Sequence, residues 1–326
     1  MNGHPLVDWL AGLGGLTPAT VVVLGLVYAL LVVATVVSAA MMKGRPDEGE
    51  TELERRVSSW WWMILLITLA LASGRCWAVA FFAFISFLAL KEYLSITRTP
   101  RAYRLVLLLV YAAIPIQGWL TYTAWYGLFV IFVPVYMFIV LPTALVLSGE
   151  TKGFLASVGT LHWGLMTTVY SVGHVGYLLV LPKETGGIAE GAGLVVALLV
   201  LTEANDVAQY IAGKSFGRRK IVPKVSPGKT WGGFLGGLVA TAALAAVLMP
   251  VLTPFDAAGG ALTGGLIAIA GFFGDLTESA LKRDLGRKDS GSWIPGHGGI
   301  LDRIDSLIFT APLFLHVLRY FHAPYW

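Results

Sequence analysis

Apolar stretches of membrane-spanning length recur throughout this 326-residue chain, and no other feature restricts its fold as strongly. Crossing about 30 Å of hydrocarbon takes roughly 20 apolar residues in a helix, with every backbone N–H and C=O paired inside the segment. Ten stretches qualify, at about 18–42, 58–74, 76–92, 104–121, 124–147, 154–181, 187–212, 230–252, 258–280 and 302–321. Only Ser73-Gly74-Arg75 separates the second from the third, which leaves a re-entrant pair open there. Hydrophobic residues make up 56% of the chain and charged residues 13%, with a mean hydropathy of +0.75, outside the range of ordinary soluble domains. The expected class is an all-α polytopic integral membrane bundle of about ten transmembrane helices. The first span starts too far along, and without a basic leader, to read as a cleaved signal peptide. Cys76 is the single cysteine, which excludes an intramolecular disulfide and reads as a packing residue.

Lysines and arginines set the orientation. With the N-terminus outside, the loops at 43–57, 91–104, 148–153, 213–229 and 281–301, together with Arg303, hold 20 of the 23 basic residues. Arg75, Lys183 and Arg319 alone fall on the other side. The positive-inside rule therefore predicts a multi-pass protein of the inner (cytoplasmic) membrane, with the loops 213–229 and 281–301 both facing the cytoplasm. The net charge of +4 is small enough to reflect anionic lipid headgroups, and no nucleic-acid partner is expected.

Against this apolar background, Ser279 to Asp305 packs four aspartates, five basic residues and a histidine into 27 residues. Charge at the end of a span is costly and by default marks a functional site; the bland alternative is a solvated loop. Carboxylates among cations suit a divalent metal and a polyphosphate, since the metal takes hard oxygen ligands and the phosphates take positive partners. Gly296, Gly298 and Gly299 flank His297 and allow close backbone approach to a ligand, and Pro295 stiffens the entry. Asp302 and Asp305 stand at i and i+3, one face of a helix expected to begin there, and Asp275 shares a face with Glu278, Ser279 and Lys282.

The loop at 213–229 carries Lys214, Arg218, Arg219, Lys220, Lys224 and Lys229, with Ser226-Pro227-Gly228 beside the last of them. Such a loop can wrap a triphosphate, although it lacks the glycine spacing and preceding strand of a Walker-type loop. A plain positive-inside loop is the alternative. The preceding helix favours the former, because Glu203, Asn205 and Asp206 interrupt an apolar run and must find partners. Glu203, Asp206 and Tyr210 share one face at i, i+3 and i+7. Gly232-Gly233 with Gly236-Gly237, and Gly264-Gly265, read as close helix packing.

The order Ser279, Leu281, Lys282-Arg283, Lys288-Asp289, Pro295, His297-Gly298-Gly299, Asp302-Arg303 and Asp305 resembles, without a gap, the signature of the phosphatidate cytidylyltransferases, also called CDP-diacylglycerol synthases. Asn205-Asp206, Tyr210, Gly213, Ser226-Pro227 and Lys229-Thr230 resemble a second segment of that family, and Gly274-Asp275-Leu276 belongs with its metal-binding and catalytic residues. Two positions depart: Gly228 stands where the family usually has a polar or basic residue, and Gly232 where it has a glutamate. The resemblance covers about Glu203 to Asp305, while the N-terminal half adds only Lys91-Glu92-Tyr93. It implies transfer of a cytidylyl group from CTP to phosphatidate, giving CDP-diacylglycerol for phospholipid biosynthesis and pyrophosphate. It further implies metal carboxylates Asp275, Asp302 and Asp305 holding Mg2+, with K+ as a second cation. The implied catalytic residues are Lys282, Arg283, Lys288, Asp289 and His297, and the implied substrate-binding residues are Asp206, Ser226, Lys229, Thr230, Ser279 and Arg303. A homodimer is implied as well, and the first span is extra to a nine-helix arrangement.

Charge logic runs the same way. Both reactants are anionic, so repulsion is the obstacle, and Lys229, Lys282, Arg283 and Lys288 would offset it, with bidentate geometry only from the arginine. The lipid phosphate itself attacks, so catalysis rests on in-line positioning and charge stabilisation. His297 either meets a phosphate oxygen or leaving group or serves as a structural residue of its glycine turn. With the acyl chains left in the bilayer, a lateral opening between spans is expected. Competing readings are CTP-dependent activation of an isoprenoid or ether lipid, and a transporter with broken helices at a charged midplane. Three regions are expected: an extra helix and linker at 1–57, membrane helices at 58–186 and a catalytic membrane region at 187–326.

Overall fold

The computed structural model describes residues 16–42, 52–97, 104–149, 152–184, 191–287, 289–291 and 298–322. Ten long helices are present among them: α1 Pro18–Met42, α2 Glu52–Ala72, α3 Arg75–Ile96, α4 Arg104–Tyr122, α5 Tyr126–Leu147, α6 154–178, α7 Gly191–Phe216, α8 Trp231–Leu252, α9 Ala257–Asp284 and α10 Leu301–His322. Each falls on one of the ten apolar stretches. All but α2 and α6 are long and apolar enough to cross a membrane, which makes an all-α polytopic architecture. At Ser73-Gly74 the chain turns between two helices, α2 and α3, with Gly74 at a φ of 86° that side chains rarely adopt.

Two helices widen locally to π geometry, α5 over Phe132–Met137 and α6 over Leu165–Tyr170. Pro134 lacks an N–H and crowds the preceding turn in the first case. In the second, the Tyr93 hydroxyl takes the Thr160 carbonyl at 2.9 Å and the Tyr93 ring lies against Gly164. One apolar core is formed by Leu90, Val110, Val133, Leu141, Leu161 and Leu165, joining α3 to α6. A larger core runs through Phe82, Val175, Tyr177, Leu194, Leu201, Ile267 and Phe314, so the N-terminal helices are welded to α7, α9 and α10.

Glycine lets α7, α8, α9 and α10 meet at backbone distance. A Cβ on Gly233 would stand 2.7 Å from the Gln209 carbonyl oxygen, one on Gly260 2.8 Å from that of Ala245, and one on Gly274 2.6 Å from that of Asp305. Three successive interfaces are therefore closed by small residues, as expected where apolar helices gain nothing from burial against lipid-like neighbours. Gly265 has ordinary room beside Leu238 and is not part of this contact.

Gly260→Val should overpack the α8–α9 contact at a cost of about 2 kcal/mol. Thermal unfolding in detergent checks this, with Gly25→Ala as the control, since no atom lies within 4 Å of a Cβ at Gly25.

Candidate active site

At one end of the bundle, α7, α9, α10 and the approach to α8 enclose a cavity of about 270 Å³. Five carboxylates face it, Glu203, Asp206, Asp275, Asp302 and Asp305, together with Lys229, Arg303, Thr202 and Ser306. A second cavity of about 460 Å³ opens between α7, α8 and the loop joining them, and it is lined by Lys214, Lys220, Lys229, Ser226, Gly228, Thr230, Gln209, Tyr210 and Phe234. Asp206 and Lys229 belong to both walls. An acidic chamber thus adjoins a basic one. Thr230 makes that junction possible: it caps α8 by accepting the Gly233 N–H at 3.1 Å, which fixes the neighbouring Lys229 at the helix start.

Lys229 Nζ stands 2.5 Å from Asp275 Oδ2 and donates to Gln209 Oε1 at 3.2 Å. Ser279 donates to Asp275 Oδ1 at 3.3 Å, so the i, i+4 spacing on α9 is realised. Asp206 Oδ2 accepts from Ser306 Oγ at 2.9 Å, while its buried Oδ1 has no donor among the described residues. Asn205, one residue earlier, turns to the opposite face and holds the helices together through Thr241 and the Ala268 carbonyl.

The helix expected to begin at Asp302 is broken. One turn spans Leu301–Ile304 and the helix resumes at Leu307. Asp305 Oδ1 accepts the Ser306 N–H at 2.7 Å, a donor that an unbroken helix would send to the Asp302 carbonyl, and Gly274 presses against the Asp305 carbonyl. Asp302 and Asp305 nevertheless face the same cavity.

Asp302 is the most heavily bonded group in the site. Lys282 Nζ donates to Oδ1 at 2.7 Å, and Oδ2 accepts from Ser290 N at 3.0 Å, Ser290 Oγ at 2.8 Å and Gly299 N at 2.9 Å. Those four donors match the acceptor capacity of a carboxylate. Gly298, at a φ of 77°, comes too near the Asp302 carboxyl for any side chain, so these glycines bring backbone to Asp302 itself.

Of the residues expected from the sequence, Asp206, Lys229, Asp275, Asp302, Arg303 and Asp305 meet in the acidic chamber, and Ser226, Lys229 and Thr230 in the basic one. Ser279 and Lys282 act one step back, through Asp275 and Asp302. Arg283 lines neither cavity; it reaches the carbonyls of Val225 at 3.4 Å and Arg287 at 3.1 Å and ties the end of α9 to the basic loop. Asp289 is exposed. Lys288 and His297 lie outside the described residues. Gln209, Ser290 and Ser306 were not anticipated, being neutral residues without a distinctive spacing; Glu92, expected only as part of the Lys91-Glu92-Tyr93 resemblance and with no role, reaches Ile300 N with its carboxylate at 2.8 Å.

Among the described residues no three acidic, histidine or cysteine side chains converge as a ready-made metal cage. The donor set still fits a hard divalent cation. Mg2+ commonly takes one or two protein carboxylates and completes its shell with water and phosphate oxygens, and Asp206 Oδ1 is an unpartnered oxygen facing the chamber.

The model of the cytidylyltransferase family matches residues 54–321. The uncharacterized protein YnbB of Escherichia coli K12 is 44% identical over 299 residues, 91% of this chain and 97% of that protein. The phosphatidate cytidylyltransferase of Pseudomonas aeruginosa is 39% identical over 151 residues, 44% of this chain and 56% of that enzyme. That of Haemophilus influenzae is 43% identical over 129 residues, 38% of this chain and 45% of the enzyme. The shared region thus spans about half of each of these two enzymes.

Lys282→Met should strand Asp302 beside its remaining donors and cost on the order of 3 kcal/mol in detergent unfolding. Combining it with Asp302→Asn should recover part of that loss, because the uncompensated charge goes with the carboxylate.

Proposed function

Since this membrane enzyme belongs to the cytidylyltransferase family, we propose that it joins the cytidylyl group of CTP to phosphatidate, releasing pyrophosphate, at the cytoplasmic face of the inner membrane. The observation that carries this reading is the junction of the acidic and basic chambers at Asp206 and Lys229. A phosphate chain suits the basic chamber, where Lys214, Lys220 and Lys229 supply positive charge. A cation suits the acidic one, and the α-phosphorus belongs at their common wall.

A phosphate oxygen of phosphatidate attacks the α-phosphorus of CTP; the new P–O bond forms as the bond to the β-phosphate oxygen breaks, and that oxygen leaves on pyrophosphate. No covalent enzyme intermediate is needed, and positioning with charge stabilisation dominates. Asp206, Asp275 and Asp305 would hold magnesium, which when bound neutralises phosphate oxygens and stabilises the leaving pyrophosphate. Lys229 holds the α8 side of the junction, and Arg303 offers the forked geometry that suits phosphate oxygens. Asp302 works differently from those three aspartates, since four donors, from Lys282, Ser290 and Gly299, already meet its oxygens. It orders the wall of the chamber.

The lipid acceptor has an apolar approach. Val207, Tyr210 and Ile211 on α7 and Trp231 on α8 are exposed beside the basic chamber, as a headgroup site open to the bilayer requires. The identity of the named enzymes that the chain resembles favours phosphatidate as acceptor. An isoprenoid phosphate would use the same charged junction and differ only at this apolar rim.

Purified protein given CTP, phosphatidate and magnesium should release pyrophosphate and form labelled CDP-lipid, and EDTA should stop it. Asp275→Asn should lower turnover by about a hundredfold, the usual loss on removing one preorganised charge from a polar transition state. Product with a polyprenyl phosphate and none with phosphatidate would sink the phosphatidate reading, and transport of a substrate without product would sink the enzymatic one.

A further inference from the structure

Glu92 sits near the end of α3, far from the charged segments in the chain, and is buried at 4% exposure. Its Oε2 accepts the Ile300 N–H at 2.8 Å and its Oε1 meets the Ser290 hydroxyl, which stands 2.8 Å from Asp302 Oδ2 on its other side. A serine hydroxyl carries a single proton. One proton is thus shared along a Glu92–Ser290–Asp302 line, and the two carboxylates are mechanically coupled through it.

Packing tightens the same contact. A Cβ on Gly299 would overlap the Glu92 carboxylate, and one on Gly291 would stand 3.1 Å from its carboxyl carbon. Two glycines inside the signature, Gly291 and Gly299, are therefore pressed onto one side chain. Tyr93, the next residue, pins that end of α3 to α6 through the Thr160 carbonyl, so Glu92 is itself held in register.

We infer that Glu92 is a positioning residue for the reaction: it clamps the Ser290 side chain and the backbone at 300 so that Asp302, with Lys282 behind it, stands fixed in the chamber wall. Stability alone does not call for a carboxylate here, because a buried charge is weak evidence for stability and an apolar side chain of similar volume would serve as well. The bonding calls for a polar group. Ile300 N is a donor that needs an acceptor, and Ser290 Oγ, with one proton between two carboxylates, needs a hydrogen-bonding partner at residue 92; an apolar side chain supplies neither.

The catalytic consequence rests on the function proposed above; the clamp does not, and two readouts separate them. In the purified full-length protein, Glu92→Leu should lower kcat by roughly ten- to a hundredfold, the loss usual when a group orienting a site's carboxylate is removed. KM for phosphatidate should change less than about twofold, since Glu92 lines neither chamber. Amide hydrogen exchange at Ile300 should accelerate while exchange in α5 and α8 stays unchanged. Ser290→Ala should act in the same direction, and the double variant should be no worse than the weaker single one, as for two parts of one chain of contacts. Unchanged exchange at Ile300 in both variants overturns the clamp. Faster exchange with undiminished kcat overturns its role in the reaction. Should Glu92→Leu fail to fold, Ser290→Ala carries the same readouts, and should phosphatidate prove not to be the acceptor, the exchange measurement still decides whether Glu92 holds the segment.

Discussion

In hydrocarbon a carboxylate is tolerable only with a partner a few ångströms away, and apolar helices have little reason to come so close unless their surfaces are small. The glycines at 233, 260 and 274 remove that obstacle at three successive interfaces. Backbones at contact distance let short aspartates from α7, α9 and α10 reach one chamber, where longer separations would have demanded long, mobile side chains. The ion pairs Lys229–Asp275 and Lys282–Asp302 follow from this closeness, and so does the shared wall of the two cavities.

Division of charge is the second consequence. α7, α9 and α10 contribute the carboxylates, while the end of α7 and the segment joining it to α8 contribute the lysines. Asp206 from α7 and Lys229 from that segment line both spaces. A metal and a polyanion can then be held in adjoining spaces, each by groups of opposite sign, and brought together only where the walls meet.

Much of this was legible in the sequence, for identifiable reasons. The ten helices follow from the demand that backbone polar groups be satisfied inside the bilayer, a constraint that leaves few alternatives to apolar runs of fixed length. Asp206, Lys229, Asp275, Asp302, Arg303 and Asp305 were found because charge is conspicuous in such runs. Roles were harder to read than locations. Helical spacing put Asp302 and Asp305 on one continuous face, but the side chain of Asp305 competes for the Ser306 N–H and the helix breaks. Gly298 and Gly299 were read as allowing backbone to approach a ligand, and in the structure they bring it to Asp302. Arg283 lines neither cavity and reaches the Val225 and Arg287 carbonyls, contacts that its neighbours in the sequence do not announce. Glu92 stood in the Lys91-Glu92-Tyr93 resemblance without a role, since a lone carboxylate at the end of an apolar stretch is what a helix end in water also looks like, and only the tertiary fold brings it to Ile300.

Contact of Gly274 with the Asp305 carbonyl ties two helices together at a single residue, immediately before Asp275. An α-helix turns about 100° per residue, so one residue gained or lost in α9 ahead of Gly274 would swing Asp275 a quarter turn or more away from Lys229 while the apolar pattern of the helix stayed acceptable to lipid. Such a chain would still insert and fold, with its charges facing the wrong neighbours. Length variation among related sequences is therefore affordable in the connecting loops and the N-terminal helices, whereas from Asn205 to Asp305 the helices behave as a ruler on which each position is counted.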